Sequence, residues 1–168
     1  MTVQVLEGLR YKGRAYALLE TPLDSCPYAC VRERWKFLRW ASTAERRGYS
    51  GDWEVKGGKL WLVGLGVYVC ESTEHPVWHP PEKGIMWMFP GMAPPVLADW
   101  FSGELQSPRG RTTLRNLMNE ERPFLRVFHV DRGTVTGTEL RDNRAEIRAE
   151  RAAVRAVHDR LRTQLNSS

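Results

Sequence analysis

Apolar and polar positions alternate along much of this chain and then, near its end, recur at helical spacing; that change of period divides the molecule. Residues 3–9 and 14–19 read as two strands joined through Tyr11-Lys12-Gly13, since alternation sends successive side chains to opposite faces and glycine supplies the turn conformation. Residues 49–55 and 60–63 flank Lys56-Gly57-Gly58-Lys59 and predict a second hairpin, with Val67, Tyr68 and Val69 extending the sheet. Residues 96–105 read as a strand running into a turn at Ser107-Pro108-Arg109-Gly110, and residues 124–130 and 134–138 as a third hairpin through Asp131-Arg132-Gly133. Residues 31–40 carry Val31, Trp35 and Leu38 at helical spacing between basic side chains and fit either a short helix or a loop.

Between these strands, residues 71–95 hold Pro76, Pro80, Pro81, Pro90, Pro94 and Pro95, which exclude a long regular element. The segment reads as a long, mostly irregular excursion. Its Ile85, Met86, Trp87, Met88 and Phe89 would be costly to leave in water, so they are expected to pack onto the sheet or a partner.

From Glu139 to Leu165 there is neither glycine nor proline, and Leu140, Ile147, Val154, Val157, Leu161 and Leu165 form one apolar stripe. Thr138 is the expected N-cap, with Glu139 and Asp142 in the first turn against the positive end of the dipole. Arg144, Arg148, Arg151, Arg155, His158 and Arg162 stack along the flank of the stripe, and Glu146 and Glu150 border its other side. The expected class is α+β, mainly antiparallel hairpins with one long C-terminal helix. The expected division is a mainly β domain over residues 1–137 and an amphipathic, arginine-rich helix over 138–166.

A chain of 168 residues can bury about two-thirds of the surface its unfolded form exposes, so a stable core needs no covalent staple. No stretch approaches the roughly 18 apolar residues of a membrane span, and the opening residues lack the apolar run of a secretory signal; the reading is cytoplasmic, with no membrane partner. The formal net charge of +5 favours acidic partners. Lysines stand only at Lys12, Lys36, Lys56, Lys59 and Lys83, so the surplus is arginine, whose planar fork pairs bidentately with phosphate or carboxylate.

Catalytic chemistry is thinly represented. Cys26, Cys30 and Cys70 with His75 or His79 can be drawn as a Cys3His zinc set, but the spacing matches no established zinc motif and ordinary partly buried thiols are the simpler account, so no metal and no cofactor are expected. A cysteine nucleophile would need a base from His75, His79, His129 or His158, and nothing local to the thiols supplies one. Asp52, Glu54, Asp99 and Glu104 could form a carboxylate pair, although carboxylates on the wet face of a strand are usually surface charge. Gly57-Gly58 and Gly64-x-Gly66 lack the strand, turn and helix context of a phosphate loop.

Arg46-Arg47-Gly48-Tyr49-Ser50-Gly51-Asp52-Trp53-Glu54-Val55, continued by Gly58-Lys59-Leu60-Trp61-Leu62-Val63-Gly64-Leu65, and later Ala98-Asp99-Trp100-Phe101-Ser102-Gly103-Glu104-Leu105 with Pro108, Arg109 and Gly110, resemble in order two motifs of a widespread group of uncharacterised small bacterial proteins. The chain departs from that group at Glu45, where an aromatic is usual, and in its extended arginine helix. The resemblance implies a shared β fold and carries no catalytic role. Read physically, the motifs are scaffold: Tyr49, Trp53 and Val55 fall on one face and Asp52 and Glu54 on the other.

The expected function is a non-enzymatic, cytoplasmic binding or adaptor protein of bacterial or mobile-element origin. Its helix seam Leu140, Ile147, Val154, Val157 and Leu161 would pair with a protein partner or a second copy as a homodimer, with antiparallel or staggered self-pairing suggested by Glu146 and Glu150. Arg144, Arg148, Arg151, Arg155 and Arg162 would select an acidic partner, or alternatively bind nucleic acid in a salt-sensitive way. A third expectation is a small hydrolase using Asp52, Glu54 and Asp99, which requires those carboxylates to converge beside Trp53 and Trp100.

Overall fold

The computed structural model describes residues 4–40, 42–70, 75–109 and 122–165. In chain order its elements are β1 (Glu7–Tyr11), β2 (Arg14–Leu18), a 3-10 turn (Pro22–Ser25), α1 (Ala29–Trp35), β3 (Tyr49–Lys56), β4 (Lys59–Val69), β5 (Val77–His79), α2 (Pro81–Met88), β6 (Val96–Leu97), β7 (Gly103–Pro108), β8 (Phe124–Asp131), β9 (Thr134–Asp142) and α3 (Arg144–Leu165). The class is α+β. Three tight two-residue turns set the hairpins β1–β2, β3–β4 and β8–β9. Their central residues, Lys12-Gly13, Gly57-Gly58 and Arg132-Gly133, all have positive φ between 44° and 73°, the twist that lets paired strands continue without splaying.

The described strands form one sheet in the order β2-β1-β3-β4-β9-β8-β7, with β5 and β6 also paired to β4. All pairs are antiparallel except β1 with β3, where Leu9 lies opposite Trp53 in a parallel register. At eleven residues β4 is long enough to hold β3 along one edge and, along the other, β9, β6 and β5 in succession. The sheet curls until its ends meet: the Leu19 N–H, just beyond β2, donates to the Gln106 carbonyl of β7 at 3.0 Å.

Inside the curl lie Leu9, Leu18, Tyr49, Trp53, Leu60, Leu62, Leu105 and Phe128, each at most 2% exposed. α2 closes against β4 so tightly that a Cβ on Gly84 would stand 1.8 Å from the Leu65 carbonyl oxygen. Within the mostly irregular proline-rich excursion, an eight-residue helix that the sequence did not indicate packs on the sheet. Pro81 sits at its first turn, where the missing N–H costs nothing. Ile85, Met88 and Phe89 are buried, and at about 1.5–3 kcal/mol for each fully buried side chain they offset the ordering of the segment.

Other boundaries also moved. Residues 31–40 begin as helix, since α1 buries Val31, and then turn back so that the Cys70 N–H donates to the Phe37 carbonyl at 2.9 Å. The strand expected over 96–105 is two strands, because Phe101 N–H bonds to the Ala98 carbonyl in a turn between them. Ser107 and Pro108 belong to β7 rather than to a turn. Val3 and Gly110 lie outside the described residues.

Candidate interaction surface

The start of α3 is decided by sheet pairing. β9 remains in register with β8 as far as Asp142 opposite Phe124, so Glu139 and Leu140 are strand residues, and the helix expected from Thr138 opens at Arg144 instead. Asn143 makes the transition: its N–H donates to the Pro123 carbonyl at 2.9 Å, and its carbonyl accepts the Ile147 N–H at 3.0 Å. Asp142 accepts from the Arg144 backbone N–H at 3.0 Å and from the Arg144 guanidinium at 2.7 to 3.1 Å. Those bonds hold the Asp142 carboxyl at about 2. The same guanidinium lies 4.8 Å from the Phe124 ring.

Beyond this anchor every described side chain from Arg148 to Gln164 is exposed. Val154, Val157 and Leu161 remain 54%, 53% and 53% exposed, and Ile147 is half-buried. At 100° per residue these four fall within one 80° sector, so among the described residues α3 carries a stripe that the body does not cover. Leu140 is not part of it; it stands on β9 opposite Arg126 and is 49% exposed. Arg148, Arg151, Arg155 and Arg162 line one border of the stripe and Glu146 the other; Glu150 falls inside the sector, between Leu161 and Val157, and Arg144 is turned into its pair with Asp142. Among the described residues no helix is long and apolar enough to cross a membrane.

The residues proposed for chemistry are dispersed. Cys26 is buried, and loss of solvent pushes its thiol up to about 11; Cys30 and Cys70 are partly buried, and none of the three is joined in a disulfide. Among the described residues no three His, Cys, Asp or Glu side chains gather as a metal set; His79 rests near the Trp87 ring, with centroids 6.2 Å apart. Asp52 lines a groove of about 340 Å³ with Arg10, Tyr16 and Glu82. Asp99 is not in that groove: it accepts the Tyr28 hydroxyl at 2.5 Å, which pushes the phenol up to about 12. Trp53 and Trp100 do meet, with centroids 6.5 Å apart, but the carboxylates do not converge beside them. Glu104 is held by Arg141 through two bonds of 2.9 Å, and Arg141 also reaches Glu139 at 2.6 Å.

One buried acid escaped the sequence reading. Glu7 is 1% exposed; Oε2 accepts the Trp53 indole N–H at 2.6 Å, and Oε1 has no hydrogen-bond partner. Desolvation, only partly opposed by Trp53 and Arg47, raises its carboxyl to about 7. The available signal was its phase, two residues before the inward Leu9. Beside it the Tyr49 hydroxyl bonds to Asp24.

Comparison with protein-family models, with curated proteins and with solved structures finds no match to this chain.

Proposed function

We propose that this chain is a non-enzymatic, cytoplasmic binding protein of bacterial or mobile-element origin that acts by pairing α3 with another helix, in the first instance that of a second copy. The observation that carries the reading is the exposed stripe of Val154, Val157 and Leu161 with half-buried Ile147 on a helix that, among the described residues, is anchored at its start. Full burial of such a side chain is worth about 1.5–3 kcal/mol, and roughly half of that remains to be gained here. Eight side chains in a pair thus contribute about 8 kcal/mol, comparable with the cost of association at about 4–15 kcal/mol. The apolar seam alone makes a weak pair, and the borders decide the partner.

Those borders revise the expected orientation. In an antiparallel pair like borders face each other, which sets arginine against arginine; in a parallel pair Glu146, on one border, comes opposite Arg151 of the second copy, on the other. Parallel self-pairing is therefore favoured. Light scattering after size exclusion, across protein concentration, tests it: a dimer that the double substitution Val154→Asp and Leu161→Asp converts to monomer is expected. A dimer that survives the substitution refutes the seam.

Exposure of Arg148, Arg155 and Arg162 along one flank favours a second reading, salt-sensitive binding of nucleic acid through their contacts to phosphate. A monomer that co-purifies with nucleic acid at low salt and releases it at high salt would put this reading first.

A further inference from the structure

Where the curled sheet closes, three arginines continue rows that the strand alternation directs inward; Arg126 is half-buried, and Arg14 and Arg109, at the strand ends, are exposed. On β2, Leu18 and Tyr16 point into the core and Arg14 continues the same row. On β8, Phe128 is fully buried and Arg126 lies two residues before it, opposite the buried Ser107 of β7. Arg109 follows Ser107 by two residues. Arg14, Tyr16, Arg109 and Arg126 thereby line one small cavity of about 100 Å³. Inward rows of a sheet are ordinarily apolar, and three guanidinium groups gathered there repel one another unless negative charge joins them.

Arg141 of β9 is neutralised by Glu104 and Glu139, and Arg144, at the start of α3, by Asp142. Among the described residues no carboxylate lines this cavity. Arg126 Nε is buried without a hydrogen-bond partner, a donor that a native structure normally satisfies with protein, water or an ion. The Tyr16 ring, packed edge-on to Phe128 with centroids 5.6 Å apart, is part of the cavity wall. The volume is well below the roughly 300 Å³ at which whole small molecules are enclosed, so only a charged group enters.

We propose that Arg14, Arg109 and Arg126 form an oxyanion site that takes a phosphate group, either inorganic phosphate or the terminal group of a small monoester whose remainder stays outside. Guanidinium forks from opposite ends of the sheet meet a tetrahedral anion from several directions, a geometry that point-charge lysines do not reproduce. The site is separate from α3 and independent of the pairing reading.

Calorimetric titration of the full chain with inorganic phosphate, against chloride at matched ionic strength, tests it. One saturable site per chain is expected. Arg126→Lys keeps the charge and removes the buried Nε donor and the fork, and should weaken binding at least tenfold. Arg14→Gln, at an exposed position where folding is not at stake, should do the same, while Arg148→Glu with Arg155→Glu on α3 should leave the affinity unchanged. A small phosphate monoester that binds more tightly than inorganic phosphate assigns the site to an ester, and one that binds no more tightly assigns it to the free ion. Heat no greater than the chloride control, or an affinity that Arg14→Gln and Arg126→Lys both leave intact, overturns the proposal.

Discussion

The indole N–H of Trp53 donates to Glu7 Oε2 at 2.6 Å inside the core, so an acid of β1 and the largest aromatic of β3 are joined across a parallel strand pair. The contact exists because Gly51, two residues before Trp53, has no side chain: a Cβ there would lie 2.7 Å from Trp53 Nε1 and 2.8 Å from Glu7 Oε2. The other Glu7 oxygen finds no partner, and burial, stronger than the opposing Trp53 bond, raises the carboxyl to about 7.

Stability should fall with rising pH through the Glu7 window. The folded-state value is about 7 against 4.5 for the free group, so between those values the folded state holds more proton than the unfolded state. The contribution is fully present below about 4.5 and is lost as pH rises through 7, roughly 3 kcal/mol in all. Denaturant unfolding at about pH 4.5, 6 and 8 should show Glu7→Gln flattening this slope relative to the unsubstituted chain; parallel slopes for the two proteins would mean that Glu7 does not titrate there.

Gly51→Ala should destabilise by about 1–3 kcal/mol through overpacking of the Glu7–Trp53 contact. Gly84→Ala should cost more, because its Cβ would meet the Leu65 backbone oxygen at 1.8 Å rather than a side chain with freedom to move. Thermal unfolding of both variants orders the two costs, and a Gly84→Ala protein as stable as the original would show that α2 can lift from β4.

Substitutions on α3 should leave the body intact. Val154→Asp with Leu161→Asp removes side chains already half exposed, and unfolding of the body should shift by no more than about 0.5 kcal/mol while the oligomer dissociates. Arg148→Glu with Arg151→Glu should likewise preserve the fold and abolish any retention on a polyanion column.

Asp142→Ala should fray the first turn of α3, since it removes the acceptor for the Arg144 N–H and the partner of its guanidinium. The carboxyl is depressed from 3.8 to about 2, so its stabilisation is present above 3.8 and is lost as pH falls through 2. Far-ultraviolet circular dichroism should show less helix in the variant near neutral pH, and the difference should vanish once the acid is protonated in both states.

Local pattern by itself determined the three hairpins and the existence of α3. Lys12-Gly13, Gly57-Gly58 and Arg132-Gly133 are turns that need only their own backbone preferences and the alternation on either side; likewise the stripe from Ile147 to Leu161 follows from helical period alone. Tertiary structure decided what depends on partners distant in sequence. Pairing with β8 carried Leu140 into β9 and moved the helix start to Arg144; packing on β4 made a helix of the proline-rich segment around Ile85 and Phe89. Closure of the sheet brought Arg14 to Arg126, and burial placed Glu7 against Trp53. A residue's period tells which face it shares, but what covers that face is set by the curl of the sheet, which no single segment encodes.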